Sequence, residues 1–200
     1  MSIPNLFKIA PEPFGLDLSD RSVKIAKLSK KKGGFALENF GEATIADGAI
    51  KDGEIMSEDG VVEALEKAIS GVKPKPLNSQ YVACSLPEEK TYIRMVQLPK
   101  MKKEELSEAI RWETEANMPV SLEEIYFDWK LINVEDHNLD HLDILVGAAP
   151  KKVIDSYINA FAKAGLKPYS VEPESVALAR SSFEIGEYCD PTLVIEIGKV

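Results

Sequence analysis

The chain has 200 residues, of which 44% are hydrophobic, and a formal net charge of -9 at pH 7. This length allows a substantial buried core, and the excess of acidic side chains repels a polyanion, so no nucleic acid partner is expected. The two cysteines, Cys84 and Cys189, have no metal-ligand spacing and are too few for a disulfide framework, which is typical of a reducing cytosol. Residues 1–13 contain no secretion signal, and no apolar run approaches the roughly 20 residues of a membrane-spanning helix. We therefore predict a cytoplasmic globular protein with no direct membrane insertion.

The first part of the chain predicts a β-meander followed by a helix. Short β-prone runs separated by polar turns indicate antiparallel strands at 14–18, 23–28 and 35–43. The helix begins at Ser57 or Asp59 and carries one apolar face, formed by Val61, Val62, Leu65, Ala68 and Ile69. Gly71, Val72 and Pro74 then predict a left-handed helix cap.

The middle of the chain predicts a small module with the order strand, helix, strand, strand. After a strand at 81–86, its elements are expected at 91–98, 102–116, 126–134 and 142–149. A strongly amphipathic helix at 151–164 follows, and Gly165 and Pro168 predict the same ending as the first helix. A short helix at 175–183 leads to an apolar run at 193–197. We predict a final strand there, whose open edge favours self-association.

Several segments resemble members of one protein family. The turn from Gly15 to Lys24 is similar to the first phosphate hairpin of actin-like ATPases, and Asp47 to Ile55 resembles the segment that follows it. The most specific block contains Glu105, Leu106, Ala109, Ile110, Arg111, Trp112, Glu113, Ala116, Asn117, Met118 and Pro119. Together with 124–128, 155–168 and 171–179, it resembles the type IV pilus assembly protein PilM family, which is related to FtsA.

This resemblance implies a mixed α/β fold with two subdomains and an N-terminal extension at 1–13. An actin-like (ribonuclease H-like) core is expected from 14–87 and 165–200, with an inserted SHS2-type subdomain at 88–164. The second half of the actin-like fold is expected to follow residue 200. An ATPase complete within these residues is therefore not expected, and no catalytic residue is assigned.

The resemblance also implies a binding site for ATP and magnesium. The implied cofactor-binding residues are Asp17, Ser19, Asp20, Arg21, Ser22, Lys24, Glu196 and Gly198. Asp17 would hold the magnesium ion through water, because magnesium usually keeps several of its waters. Two positions depart from the family pattern, since Ser19 replaces a usual Gly and Glu196 replaces a frequent Asp. Taken alone, the turn is also compatible with an ordinary hairpin that has a polar tip.

The inserted subdomain is implied to bind a partner protein. In this family the partner is the cytoplasmic N-terminal peptide of a PilN-like inner-membrane protein, held in the groove between the inserted subdomain and the core. The chain would then be recruited peripherally to the inner membrane. The candidate partner-binding residues are Trp112, Met118 and Pro119. Given roughly 100° per residue, Trp112 lies about 60° from Ala109, at the edge of the apolar stripe. The alternative to a partner contact is that its side chain packs at the margin of the core.

Other patterns lead to weaker interpretations. His137 and His141 lie near aspartates in a polar loop, but no spacing fixes a third ligand, so we do not predict a metal site. Two alternative functions belong to the same superfamily. A small-molecule kinase would need a catalytic acid near the second phosphate hairpin, and an FtsA-like cell-division protein would carry an amphipathic membrane helix.

Overall fold

The computed structural model describes residues 12–117, 121–132, 140–183 and 191–196. Strands and helices are mixed along the chain, which confirms the predicted α/β class. The strands are β1 (Phe14–Leu18), β2 (Ser22–Lys31), β3 (Gly34–Thr44), β4 (Ile50–Lys51), β5 (Glu54–Ile55), β6 (Tyr81–Leu86), β7 (Tyr92–Pro99), β8 (Ile125–Leu131), β9 (His141–Pro150) and β10 (Lys167–Pro173). The helices are α1 (Glu58–Ser70), α2 (Lys103–Asn117), α3 (Lys151–Lys163) and α4 (Glu174–Ser182).

The larger sheet has five strands in the order β10-β6-β1-β2-β3. The first three strands of the chain form the predicted antiparallel meander, while β1 and β10 both pair with β6 in parallel. Leu16 of β1 is aligned with Ile25 of β2 and Cys84 of β6. All three side chains are buried, because successive residues of a strand point to opposite faces and these three share the inner one.

Helices α1 and α3 cover the inner face of this sheet. The side chains of Leu65, Tyr157 and Phe161 are fully buried in one cluster with the apolar residues of β1, β2 and β6. The rings of Tyr157 and Phe161 meet edge to face, with centroids 6.3 Å apart, a favoured arrangement of aromatic pairs. Burial also raises the pKa of the Cys84 thiol, so this cysteine is an inert core residue.

The smaller sheet has three antiparallel strands in the order β7-β9-β8. Helix α2 packs on one of its faces, where Ile110 and Ile144 are fully buried in a separate, smaller cluster. The order strand, helix, strand, strand agrees with the sequence prediction for this module.

Helix α3 differs from its predicted assignment to the inserted subdomain. Its buried residues Val153, Tyr157, Ala160 and Phe161 all belong to the larger cluster. By packing, the inserted module therefore ends at about Pro150 rather than at residue 164. The strong amphipathic pattern identified the helix, but periodicity does not reveal which sheet the apolar face contacts.

The ends of α1 and α3 are not alike, although both were predicted as left-handed caps. Gly165 has φ +74°, as predicted, whereas Gly71 has φ -82° and remains right-handed, so that prediction is wrong for α1. The difference follows from the next residues, because Lys73 exchanges two backbone hydrogen bonds with Phe40 of β3, at 2.9 and 3.0 Å. The chain therefore passes directly from α1 to the edge of the sheet.

The predicted strand at 193–197 is wrong over the residues that the structure describes. Residues 191–196 make no ladder, and Leu193 and Ile195 are 82% and 71% exposed. A β-prone run forms a strand only where another strand supplies hydrogen-bond partners, and no strand in the described ranges pairs with it. None of the helices described is long and apolar enough to cross a membrane.

Candidate phosphate turn and partner groove

The predicted phosphate hairpin is formed by β1 and β2, with Asp17 aligned with Lys24. The turn is closed by its two serines. The amide of Ser19 donates to the Ser22 carbonyl at 3.0 Å, and the amide of Ser22 donates to Ser19 Oγ at 3.2 Å. None of the hydrogen bonds described within the turn is donated by the backbone amides of Asp20 and Arg21. They are the donors that an anion at the tip would meet.

Asp20 is engaged on the side of the turn that faces the core. Its carboxylate accepts the backbone amides of Asp52 and Gly53, at 2.9 and 3.1 Å. These two residues form the turn between β4 and β5, with φ +49° and +73°. Such values favour an Asp-Gly pair in a tight hairpin. Asp20 therefore ties the phosphate turn to this second hairpin, which lies within the family-like segment from Asp47 to Ile55.

The structure brings Asp17 and Glu196 together around a third acid, Glu174. Burial, the charges of Glu196 and Asp17, and a hydrogen bond with Glu196 raise the pKa of Glu174 to about 7. Lys24 Nζ lies 3.2 Å from Asp17 Oδ2. The two acidic residues that the resemblance assigned to opposite phosphate motifs thus both act on Glu174, while Gly198 lies outside the described residues.

The arrangement of these acidic side chains bears on how a cation could be held here. Within the described ranges, no three His, Cys, Asp or Glu side chains are placed to hold a metal together. Burial is the main cause of the raised pKa of Glu174, and the charges of Glu196 and Asp17 add to it, so a nearby cation would favour the ionised carboxylates. Binding of magnesium through water, as predicted for Asp17, requires no closer approach of these groups.

A second candidate site lies where the two subdomains meet. A cavity of ≈ 260 Å³ is lined by Leu86, Thr91, Tyr126, Phe127, Asp128, Gly147, Ala148, Ala149, Ile154, Val171, Glu172 and Pro173. We call it the partner groove. One wall comes from β8 and β9 of the small sheet, and the other comes from the carboxyl ends of β6 and β10 with α3. Its lining is mainly apolar with a few polar groups, as in binding clefts, while its volume lies just below the usual range of about 300–1,000 Å³.

Polar contacts on one wall of the partner groove fix the two subdomains to each other. Tyr126 of β8 donates its hydroxyl to Asp155 of α3 at 3.1 Å, and this bond raises the pKa of Tyr126. Lys151 donates to the Glu123 carbonyl at 2.7 Å, and its Nζ lies 5.5 Å from the centre of the Tyr126 ring. Because α3 belongs to the core, these contacts hold β8 at a fixed distance from it.

The residues predicted to bind a partner do not line this groove where they can be located. Trp112 lies on α2 and is 69% exposed. Met118, Pro119 and His137 lie outside the described residues, so their predicted roles are untested. His141 is described and interacts with Asp140 and Asp143.

Sequence reasoning missed Glu174 and most of the groove. Glu174 was matched to the family pattern without a role, and its position directly after Pro173, where β10 ends and α4 begins, was the available signal. Thr91, Asp128 and Gly147 are brought together only by the docking of two sheets. No local pattern marks such residues.

Comparison with known proteins identifies the family. The family model described as type IV pilus assembly protein PilM matches residues 15–192. A solved PilM-PilN type IV pilus biogenesis complex is similar, with a TM-score of 0.73 and 21% identity, over 83% of this chain and 48% of that chain. The cytoplasmic domain of EpsL, an inner-membrane component of the Vibrio cholerae type II secretion system, matches at a TM-score of 0.53 and 11% identity, over 82% of this chain and 58% of that chain.

The structural likeness shows the predicted fold, and the range of the family model includes nearly all of the five-stranded core and the whole inserted module. The chain spans about half the length of these similar structures. With a family model covering nearly all of it, the chain belongs to the type IV pilus assembly protein PilM family.

Proposed function

We propose that this protein is a cytoplasmic scaffold of type IV pilus assembly that binds the N-terminal cytoplasmic tail of a PilN-like membrane protein in the partner groove. The observation that carries the proposal is the ≈ 260 Å³ cleft between the inserted module and the core. Its floor is formed by small and apolar side chains, which suit an extended peptide with alternate apolar residues.

The similar solved structure supports the choice of partner, because it is a complex of PilM with PilN. A short tail bound in this way would recruit the protein peripherally to the inner membrane. Trp112 remains a proposed secondary contact, since an exposed tryptophan is a frequent interface residue.

Gly147 offers a direct test of the groove. A Cβ atom built on Gly147 would meet only Pro173 Cγ, at 3.9 Å, which is an ordinary contact. Gly147→Leu should therefore fold normally while its side chain fills the cleft. We expect it to weaken binding of the PilN-like N-terminal peptide at least about tenfold, or ~1.4 kcal/mol, as measured by fluorescence anisotropy.

The matched control is Gly147→Ala, which adds one methyl group and should change the affinity by less than about threefold, the effect of a small packing change. Circular dichroism would verify that both variants are folded. Failure of the peptide to bind the folded unsubstituted chain would exclude the proposed function.

We further propose that the phosphate turn binds ATP with magnesium in the full-length protein. Asp20 and Arg21 would present backbone amides to a phosphate, and Arg21 would add its charge, while Ser19 and Ser22 hold the turn closed. Asp17, with Glu196 beside Glu174, would hold magnesium through water, and Lys24, which is paired with Asp17 in this structure, would turn to a phosphate once Asp17 faces the magnesium. Bound ATP would present its polyphosphate to the second phosphate hairpin, which the resemblance places in the other half of the fold.

The nucleotide proposal is tested separately from the peptide. Titration calorimetry of the full-length protein with magnesium and a non-hydrolysable ATP analogue should detect binding, and Asp17→Asn should weaken it about tenfold by removing the charge next to magnesium. Unchanged affinity in the Asp17→Asn protein would rule out the assigned site.

A proposed self-association through residues 191–196 would appear as a concentration-dependent mass in analytical ultracentrifugation.

A further inference from the structure

The partner groove carries negative charge and, among its described lining residues, no positive charge. Two of the lining side chains, Asp128 and Glu172, are acidic, and no Lys, Arg or His is present among them. They come from opposite walls, since Asp128 belongs to β8 and Glu172 to β10. An occupant of the groove therefore meets an acidic group on each side of an apolar floor.

The two acids differ in their contacts. Glu172 is already paired with Arg180 of α4 through a short charged hydrogen bond. Asp128 is exposed, and its Oδ1 accepts the amide of Trp129 at 2.8 Å. This bond orients the carboxylate, and an ionised carboxylate keeps further acceptor positions when one is used. Asp128 is therefore the acid of this groove whose carboxylate is oriented and can accept a hydrogen bond from an external cation.

The cation of α3 that contacts this wall is committed elsewhere. Lys151 donates to the Glu123 carbonyl and lies over the Tyr126 ring. The hydroxyl of Tyr126 is in turn bonded to Asp155, a third carboxylate close to the same wall. The contacts at this wall thus leave the negative charge of Asp128 available to the groove.

From this arrangement we infer that the peptide bound in the groove carries a Lys or Arg side chain next to its apolar residues, and that Asp128 receives this cation. The inference rests on the proposed function and names the chemistry of its partner. A charged hydrogen bond of this kind is roughly twice as strong as a neutral one. Acidic segments would be repelled by Asp128, because the charge of Glu172 is already balanced by Arg180, so Asp128 provides specificity as well as affinity.

The apolar part of the occupant follows from the other lining residues. Ile154 and Val171 are half-buried and Leu86 is buried, so a side chain that contacts them loses water on both sides. Gly147 is aligned with Asp128 across the β8–β9 pair. Since Gly147 has no side chain, a cation can approach Asp128 beside an apolar residue of the same peptide.

The test measures charge coupling between protein and peptide. The probe is a fluorescein-labelled peptide of the cytoplasmic N-terminus of the PilN-like protein encoded by the same genome, with each Lys or Arg replaced by Gln in turn. We expect Asp128→Asn, which keeps the acceptor for the Trp129 amide, to weaken binding about tenfold. One Lys or Arg replacement should weaken it to the same extent, and combining the two should cause little further loss.

The matched control is Glu66→Gln, which removes one negative charge from the exposed face of α1, outside the groove. It should leave the affinity within about twofold, because a distant surface charge is screened. If the unsubstituted peptide binds but no Lys or Arg couples to Asp128, the inference is overturned while the proposed function stands. If the unsubstituted peptide does not bind the folded protein at all, both are overturned.

Discussion

The core and the inserted subdomain achieve stability in different ways. In the core, two helices cover one face of a five-stranded sheet, and buried residues from β1, β2, β6, α1 and α3 form one continuous cluster. In the inserted subdomain, one helix covers a three-stranded sheet, and the buried cluster around Ile110 and Ile144 is much smaller. A smaller core has less apolar surface to offset its conformational entropy, so the inserted subdomain should unfold more easily.

This difference explains why the seam between them suits a binding role. The apolar faces of both sheets are occupied by their own helices, so the subdomains meet through strand ends and a few polar contacts. Strand ends do not interdigitate as sheet faces do, and a cleft remains. A peptide placed there would contact both subdomains at once.

The largest expected effect comes from paired truncations of the two clusters. Leu65→Ala in the core and Ile110→Ala in the inserted subdomain should each cost about 2–5 kcal/mol locally, because both side chains are fully buried. Leu65→Ala should lower protection from hydrogen exchange throughout the core, whereas Ile110→Ala should do so mainly in β7, β8 and β9. Equal loss of protection everywhere in both variants would mean that the two clusters unfold as one unit.

Asp20 provides a second test, at the contact between the phosphate turn and the β4–β5 hairpin. Asp20→Ala removes the acceptor of the Asp52 and Gly53 amides and should cost about 1–3 kcal/mol in the free energy of unfolding. Asp20→Asn retains one acceptor oxygen and should cost less. The measurement is urea denaturation followed by circular dichroism, and an unchanged midpoint for Asp20→Ala would show that these amides find other partners.

Glu174 predicts a pH-dependent effect. Its pKa rises from 4.5 to about 7 in the folded protein, so ionising it above that pH costs folding free energy that the unfolded chain does not lose. Glu174→Gln should therefore stabilise the protein by about 1 kcal/mol at about pH 8 in metal-free buffer, after allowance for solvent screening. The gain should shrink as the pH falls from about 7 towards 4.5, where both states bind the proton. A gain that is constant across this range would contradict the assigned titration.

Trp112 should give the smallest change. Because its side chain is 69% exposed, Trp112→Ala is expected to alter the free energy of unfolding by no more than about 0.5 kcal/mol. A larger loss in thermal denaturation would mean that the ring packs against the inserted subdomain. The same variant, titrated with the PilN-like peptide, checks the proposed secondary contact.

Much of the fold could be predicted because its signals are local. Ser57 accepts the amide of Gly60 at the start of α1, as its residue type predicted, and the β1–β2 hairpin follows from one polar turn between two apolar runs. The β4–β5 hairpin also had a local signal, the pair Asp52 and Gly53, which was not interpreted as a hairpin.

The groove and the helix assignment could not be predicted in this way. The residues that line the cavity are spread along the chain between Leu86 and Pro173, and only the docking of separate sheets brings them together. The apolar face of α3 fits either subdomain by pattern, and the choice of the core depends on Tyr157 reaching Gly53, 104 positions away. Likewise, the shape of the chain at Gly71 is decided by the backbone pairing of Lys73 with Phe40 rather than by the glycine itself.

Gly53 is the point at which these parts meet. Its amide binds Asp20, and its carbonyl accepts the Tyr157 hydroxyl at 3.0 Å. A Cβ atom at this position would come within 2.9 Å of Pro87 and 3.1 Å of Lys90, where the chain enters the inserted subdomain. Any larger residue would therefore clash with Pro87 and strain the backbone at φ +73°, and a mutational scan should find position 53 intolerant although it belongs to neither candidate site.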